Sequence, residues 1–129
     1  LSTTFDAEQF TGAVVLRDIY FASVCEHHLL PFIGTAHVGY IPRGRVVGLS
    51  KLVRLVQCFA RRLQLQERLT QQIAQAIDDH LNPKAVGVIL KGQHQCISCR
   101  GVNQPDAEVI TVQFLGDADD LREMLLHGS

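Results

Sequence analysis

Two short stretches of the chain carry the side chains best suited to hold a soft metal ion. Cys25-Glu26-His27-His28 sets a thiol and an imidazole three residues apart, a spacing common in zinc sites. Far along the chain, Gln93-His94-Gln95-Cys96-Ile97-Ser98-Cys99-Arg100 supplies another imidazole and two more thiols. Sulfur and nitrogen donors drawn from two segments point to Zn2+. Two arrangements are open. In one, Cys25, His28, Cys96 and Cys99 close a four-coordinate structural site. In the other, Cys25, His28 and Cys96 bind, and water takes the fourth position. An extended 93–99 favours the second, because alternation sends Cys96 and Cys99 to opposite faces. Ile97-Ser98 is also a poor turn sequence for bringing both thiols to one ion. The open site leaves His27 and His94 beside the ligands as proton-transfer groups. Taken singly these residues are ordinary, since paired histidines occur in polar loops and a strand cysteine is often a core filler. Their combination is what points to metal.

A second feature is basic. Gly48-Leu49-Ser50-Lys51-Leu52-Val53-Arg54 opens a helical pattern. Lys51 and Arg54 stand at its start, where the helix dipole disfavours cations by up to about 1 kcal/mol each. A bound anion at the free N–H groups would compensate. Arg100 is close to the metal ligands in sequence and is a candidate to join them. Solvated surface residues are the plain alternative for Lys51 and Arg54. Arg61-Arg62 reads as a solvated helix face or a subunit contact. Glu67 near the start of a second helix suits that helix's dipole without further reason.

The elements that must position these groups follow from periodicity. Residues 13–24 (AVVLRDIYFASV) are β-branched and aromatic and read as a strand. Residues 34–42 alternate as a second strand ended by Pro42, with a turn at Arg43-Gly44-Arg45. From Ser50 the period changes: Leu49, Leu52, Val53, Val56, Phe59, Ala60 and Leu63 recur at three and four, an amphipathic helix. The stripe stutters near Gln64 and resumes at Leu69, Ile73, Ala76, Ile77 and Leu81, to stop at Asn82-Pro83. Residues 85–90 are a third strand, expected to continue to Ile97, and 108–115 a fourth. A short closing helix is expected over 118–126, with Asp117 as N-cap. The order ββ, αα, ββ, α predicts an α+β fold, an antiparallel four-stranded sheet with helices on one face. Its two open edges predict a ring-like homo-oligomer.

Bulk properties set the frame. At 129 residues the chain is one domain, 1–129, and 47% hydrophobic residues suffice for a core. A net charge of −1 favours neither nucleic acid nor membrane as partner. No apolar run reaches the roughly 18 residues of a membrane span, and the first residues do not form a signal peptide. The chain lacks an initiator Met, so a processed or truncated form is expected. Four cysteines do not make a disulfide scaffold in a chain of this length. Free thiols indicate a reducing, cytoplasmic setting.

The run CEHHLLPFIGTAHVGYIPRGRVVGLSKLVRLVQCFARRLQLQERLTQQIAQAI, residues 25–77, resembles the core of GTP cyclohydrolase I. HQCISCRGV, residues 94–102, resembles its second metal segment. The likeness extends more weakly from about Thr4 to Val102, and the CEHH, GLSK and QERLTQQI runs are specific together. It implies the tunnelling fold, in which ββααββ subunits join sheets into a barrel. Rings of five then stack in pairs, with active sites between subunits. It implies zinc on Cys25, His28 and Cys96, with Cys99 not a ligand. The implied reaction is attack of zinc-activated water on C8 of GTP, loss of formate and closure to 7,8-dihydroneopterin triphosphate. His94 would give a proton to N7, and His27 would assist proton transfer at the ribose or hydrated ring. Glu67, with Gln66 beside it, would read the guanine edge. Lys51, Arg54 and Arg100 would hold the triphosphate, and Ser50 would touch phosphate or ribose and assist ring closure.

The chain departs from the family's pattern in three places. It starts after a helical segment that usually supplies basic residues to the triphosphate site. Phe10-Thr11-Gly12 stands where an acidic stretch is usual. Residues 103–112 (NQPDAEVITV) replace a Ser/Thr-rich strand and add Asp106 and Glu108. These differences keep an alternative in view, a tunnelling-fold paralogue that acts on or binds another purine or pterin around a structural zinc.

Overall fold

Four long strands form the frame, as their alternation predicts. A computed structural model describes residues 4–6, 10, 12–94 and 107–127. The long strands are β2 (Val14–Cys25), β3 (Pro31–Ile41), β6 (Ala85–His94) and β7 (Val109–Gly116), each antiparallel to the next. Two short strands, β1 (Thr4–Asp6) and β4 (Arg45–Val47), pair with each other. The turn at Arg43-Gly44 therefore hands the chain to β4 and β1 rather than returning it along β3. Between the helices α1 (Leu49–Ala60) and α2 (Gln66–Leu81), where the apolar stripe stutters, Leu63–Gln64 forms β5. It pairs in parallel with the end of β2, giving the order β5-β2-β3-β6-β7. The expected extension of β6 past His94 lies outside the described residues.

Both long helices lie on one face, as expected. Leu52, Val56 and Ala60 of α1 and Leu69, Ile73, Ala74, Ile77 and Leu81 of α2 are buried there in one core with Val86, Val88 and Leu90 of β6, with α1 packed on β2 and α2 on β6 and β7. Ala74 rather than Ala76 completes the α2 stripe. Asn82, in the left-handed conformation at φ 45°, ends α2. The closing helix α3 (Asp119–His127) departs from expectation in two ways. Its first turn closes on Ala118, whose carbonyl accepts from the Arg122 N–H, so the cap falls one residue beyond Asp117. It also covers the opposite face, where Leu121 and Leu125 pack with Ala85 and Ile89. Gly39 and Gly87 make this possible: a Cβ there would stand 2.7 Å and 2.6 Å from Leu121 and Leu125.

One irregularity decides which way Cys25 faces. Between Leu16 and Ile19 the β2–β3 register slips, two residues of β2 (Arg17 and Asp18) standing opposite one of β3 (His37). Asp18 takes φ 59° at this bulge. Val14 and Leu16 before it, and Ile19, Phe21 and Cys25 after it, all join the core under α1 and α2. Strict alternation would have turned Cys25 to the other face.

Candidate active site

The Cys25–His28 turn and the end of β6 at His94 meet at one end of the sheet. Cys25 is the last residue of β2 and is buried. Its N–H donates to Leu30 O at 2.8 Å, and its carbonyl accepts from the Leu29 N–H at 2.8 Å. Leu29 turns at φ 55°. This closed turn presents Glu26, His27 and His28 to solvent. The Glu26 N–H donates to Gln64 O on β5 at 2.9 Å. Register supplies the rest: Phe32 stands opposite Ser23 on one side and opposite His94 on the other. Directly paired residues share a face, so Ser23, Phe32 and His94 lie on the helix-covered side with Cys25.

Cys25 Sγ lies 3.6 Å from His28 Nδ1. Two ligands at about 2.3 Å and 2.05 Å from a tetrahedral zinc stand about 3.6 Å apart. The pair therefore has the spacing that zinc demands of a thiolate and an imidazole. Neither Cys96 nor Cys99 is among the described residues, and the same holds for Arg100. Among the described residues no cluster of three or more metal donors forms. His27 meets His28 edge to face, with ring centroids 6.3 Å apart.

His94 ends the described part of β6. Its ring stacks on Phe32, with centroids 4.4 Å apart and planes 4° from parallel. Nε2 lies 2.7 Å from Gln66 Oε1. Burial pushes the His94 imidazole below its ordinary pKa, and the Glu67 carboxylate works against that. Glu67 is exposed in the first turn of α2. Gln66, beside it in sequence, is 1% exposed. Its amide is spent on His94, Leu90, Val109 and Thr111. A polar residue opening a helix gives no sequence signal of such burial.

A pair that sequence reasoning passed over joins the two halves. Arg68 of α2 grips Glu26 of the metal turn with two hydrogen bonds, at 3.2 Å and 2.8 Å. The Arg68 hydrogen bond, ahead of its charge, holds the Glu26 carboxyl below the usual range.

Ser50, Lys51 and Arg54 lie on α1, a different element from the Cys25–His28 turn and β6. α1 begins at Leu49 after Gly48, with no side-chain cap and no acidic residue in its first turn. Ser50 and Arg54 are exposed and Lys51 half-buried. Arg54 lines a cavity of about 370 Å3 with Gln57, Cys58 and Arg61. None of its walls comes from the Cys25–His28 turn or from His94.

An antiparallel sheet with two long helices on one face defines a tunnelling-fold domain. Among solved structures, the archaeosine synthase QueF-Like in the apo form superposes with a TM-score of 0.67 at 25% identity, covering 81% of this chain and 93% of that one. E. coli dihydroneopterin aldolase in complex with neopterin gives 0.62 at 12% identity, covering 81% and 99%. Within that class the match is particular. The GTP cyclohydrolase I family model matches residues 1–127, and the chain belongs to that family. GTP cyclohydrolase 1 of Leptospira biflexa is 55% identical over 109 residues, 84% of this chain and 60% of its own length. That of Nitrosospira multiformis is 56% identical over 110 residues, 85% of this chain and 58% of its own length. That of Dictyostelium discoideum is 55% identical over 103 residues, 80% of this chain and 44% of its own. The chain thus spans about half the length of the curated relatives it matches. Among the described residues no helix is long and apolar enough to cross a membrane.

Proposed function

We propose that this domain is the catalytic part of a zinc-dependent GTP cyclohydrolase I. It opens the guanine imidazole ring of GTP at C8, releases formate and forms 7,8-dihydroneopterin triphosphate in the cytoplasm. The observation that carries the proposal is the Cys25–His28 pair at 3.6 Å, on the same sheet end and face as His94. Cys25, His28 and Cys96 would hold the zinc. When bound, zinc supplies an acidified water as nucleophile near neutral pH.

The chain's own residues do the remaining work. His94, held in its stack on Phe32, gives a proton to N7 as C8 becomes tetrahedral. His27, exposed beside His28, serves proton transfer at the ribose or hydrated ring. The Glu67 carboxylate accepts from N1–H and the 2-amino group of guanine, a donor pair that adenine lacks. Lys51, Arg54 and Arg100 hold the triphosphate, and Ser50 touches phosphate or ribose.

The separation of Arg54's cavity from the metal turn supports a site completed between subunits. So do the sheet edges: β7 has a strand partner on one side only among the described residues, and β5 covers just the last two residues of β2. A homo-decamer of two five-membered rings would pair those edges. The test is substrate choice by the full-length, zinc-loaded protein. GTP should yield a pterin chromophore and ATP none. Equal turnover of ATP, or a different purine preferred over GTP, would move the domain to a paralogue's reaction.

A further inference from the structure

Gln66 opens α2, yet it is as buried as the core leucines. Its Nε2 lies 2.8 Å from Val109 O and 3.2 Å from both Leu90 O and Thr111 Oγ1. Backbone carbonyls only accept, so the NH2 group must face β6 and β7. Oε1 then faces the other way, 2.7 Å from His94 Nε2. An amide oxygen also only accepts, so His94 carries a hydrogen at Nε2.

The surroundings hold this amide in place. The Thr70 hydroxyl donates to Gln66 O at 2.8 Å, which spends its one hydrogen. Thr111 Oγ1, 2.6 Å away, therefore donates to Thr70 and accepts from Gln66. Gly92 leaves the space: a Cβ there would stand 2.5 Å from Gln66 Oε1. Phe32 sets the plane of the His94 ring, and Gln66 sets its rotation within that plane.

We propose that Gln66 is a positioning residue for His94, fixing the ring's rotation and its hydrogen at Nε2, and does not read the substrate base. The proposal rests on the functional reading above, in which His94 moves a proton at the purine. It separates two neighbours that sequence alone places side by side, with exposed Glu67 meeting substrate and buried Gln66 serving the histidine.

The test compares Q66M, Q66E and G92A in the full-length, zinc-loaded protein. Q66M removes the acceptor at near-constant volume. Misplacing a reacting group by about an ångström costs roughly 10²-fold, so kcat should fall by about that factor. Loss of a group that acts only in the transition state leaves KM for GTP within about twofold, with GTP still preferred over ATP. Q66E keeps an acceptor oxygen for the Nε2 hydrogen and should recover part of kcat. G92A drives the amide off the ring and should resemble Q66M. A raised KM or relaxed guanine preference with kcat kept would overturn the proposal, as would a folded Q66M with full kcat. If Q66M does not fold, G92A decides by the same split. Should the wild type turn over no GTP, the functional reading fails by itself. The His94 ring in a G92A crystal structure then still decides: rotated away from residue 66, it supports the proposal, and unmoved, it contradicts it.

Discussion

The backbone N–H of Asp18 donates a 3.0 Å hydrogen bond to Nδ1 of His37, and this contact braces the bulge that turns Cys25 toward the helices. His37 is 2% exposed in the middle of β3. Its ring accepts from a residue at positive φ that would otherwise leave its N–H without that partner. H37L removes the acceptor and should destabilise the fold by about 1–3 kcal/mol, read from denaturant midpoints at constant m-value.

His37 also predicts a pH dependence. Burial, chiefly, and the charges of Arg17 and Lys91 hold its imidazole below the ordinary value, with Asp18 opposing. A histidine depressed in the folded state binds its proton more readily when unfolded. Its contribution to stability is therefore complete above the unfolded value of about 6.5 and is lost as pH falls through the lowered folded value. H37Q keeps an acceptor for the Asp18 N–H but does not titrate. Its unfolding midpoint should drop less than the wild type's between about pH 7 and pH 5; parallel curves would contradict the assignment.

The placement of Cys25 and His28 on one turn was legible because its signal is local. The Cys25–His28 spacing placed two donors on one turn, and the change of period at Leu49 separated strand from helix. The switch of β2's parity was not legible. Arg17-Asp18 carries no turn signature, and a bulge is defined by a partner strand that local sequence does not name. The placement of α3 on the second face depended on Gly39 and Gly87, small residues whose meaning appears only against Leu121 and Leu125. The burial of Gln66 was not legible for a third reason. Amide side chains favour surfaces, and its burial is tolerable because Leu90, Val109, Thr111 and His94 satisfy the amide, partners that local sequence does not name.

The two glycines give their own prediction. G39V or G87V forces a side chain into the space of Leu121 or Leu125. Overpacking of this kind costs about 1–3 kcal/mol. The loss should be read in chemical denaturation, with zinc content per folded chain unchanged because the metal turn lies on the other face.

Zinc stoichiometry separates the two ligand sets. C25A and H28A should each abolish tight zinc binding, measured by elemental analysis after dialysis. C99S should keep the metal if the site is open, whereas a closed four-ligand site would lose it and destabilise the fold.

The Glu67 carboxylate should matter for substrate rather than for folding. E67A should lower kcat/KM for GTP by at least about 10²-fold, since a site built to pair polar groups rejects badly when they are unmatched. Thermal unfolding should stay near that of the wild type.

The most direct test of zinc-dependent GTP ring opening is to follow formate and pterin together during GTP turnover by the full-length, zinc-loaded protein. The two products should appear in equal amounts, cease when a chelator strips the metal and resume when zinc is restored. Zinc bound at Cys25 and His28 in an intact oligomer that releases neither product would contradict the account.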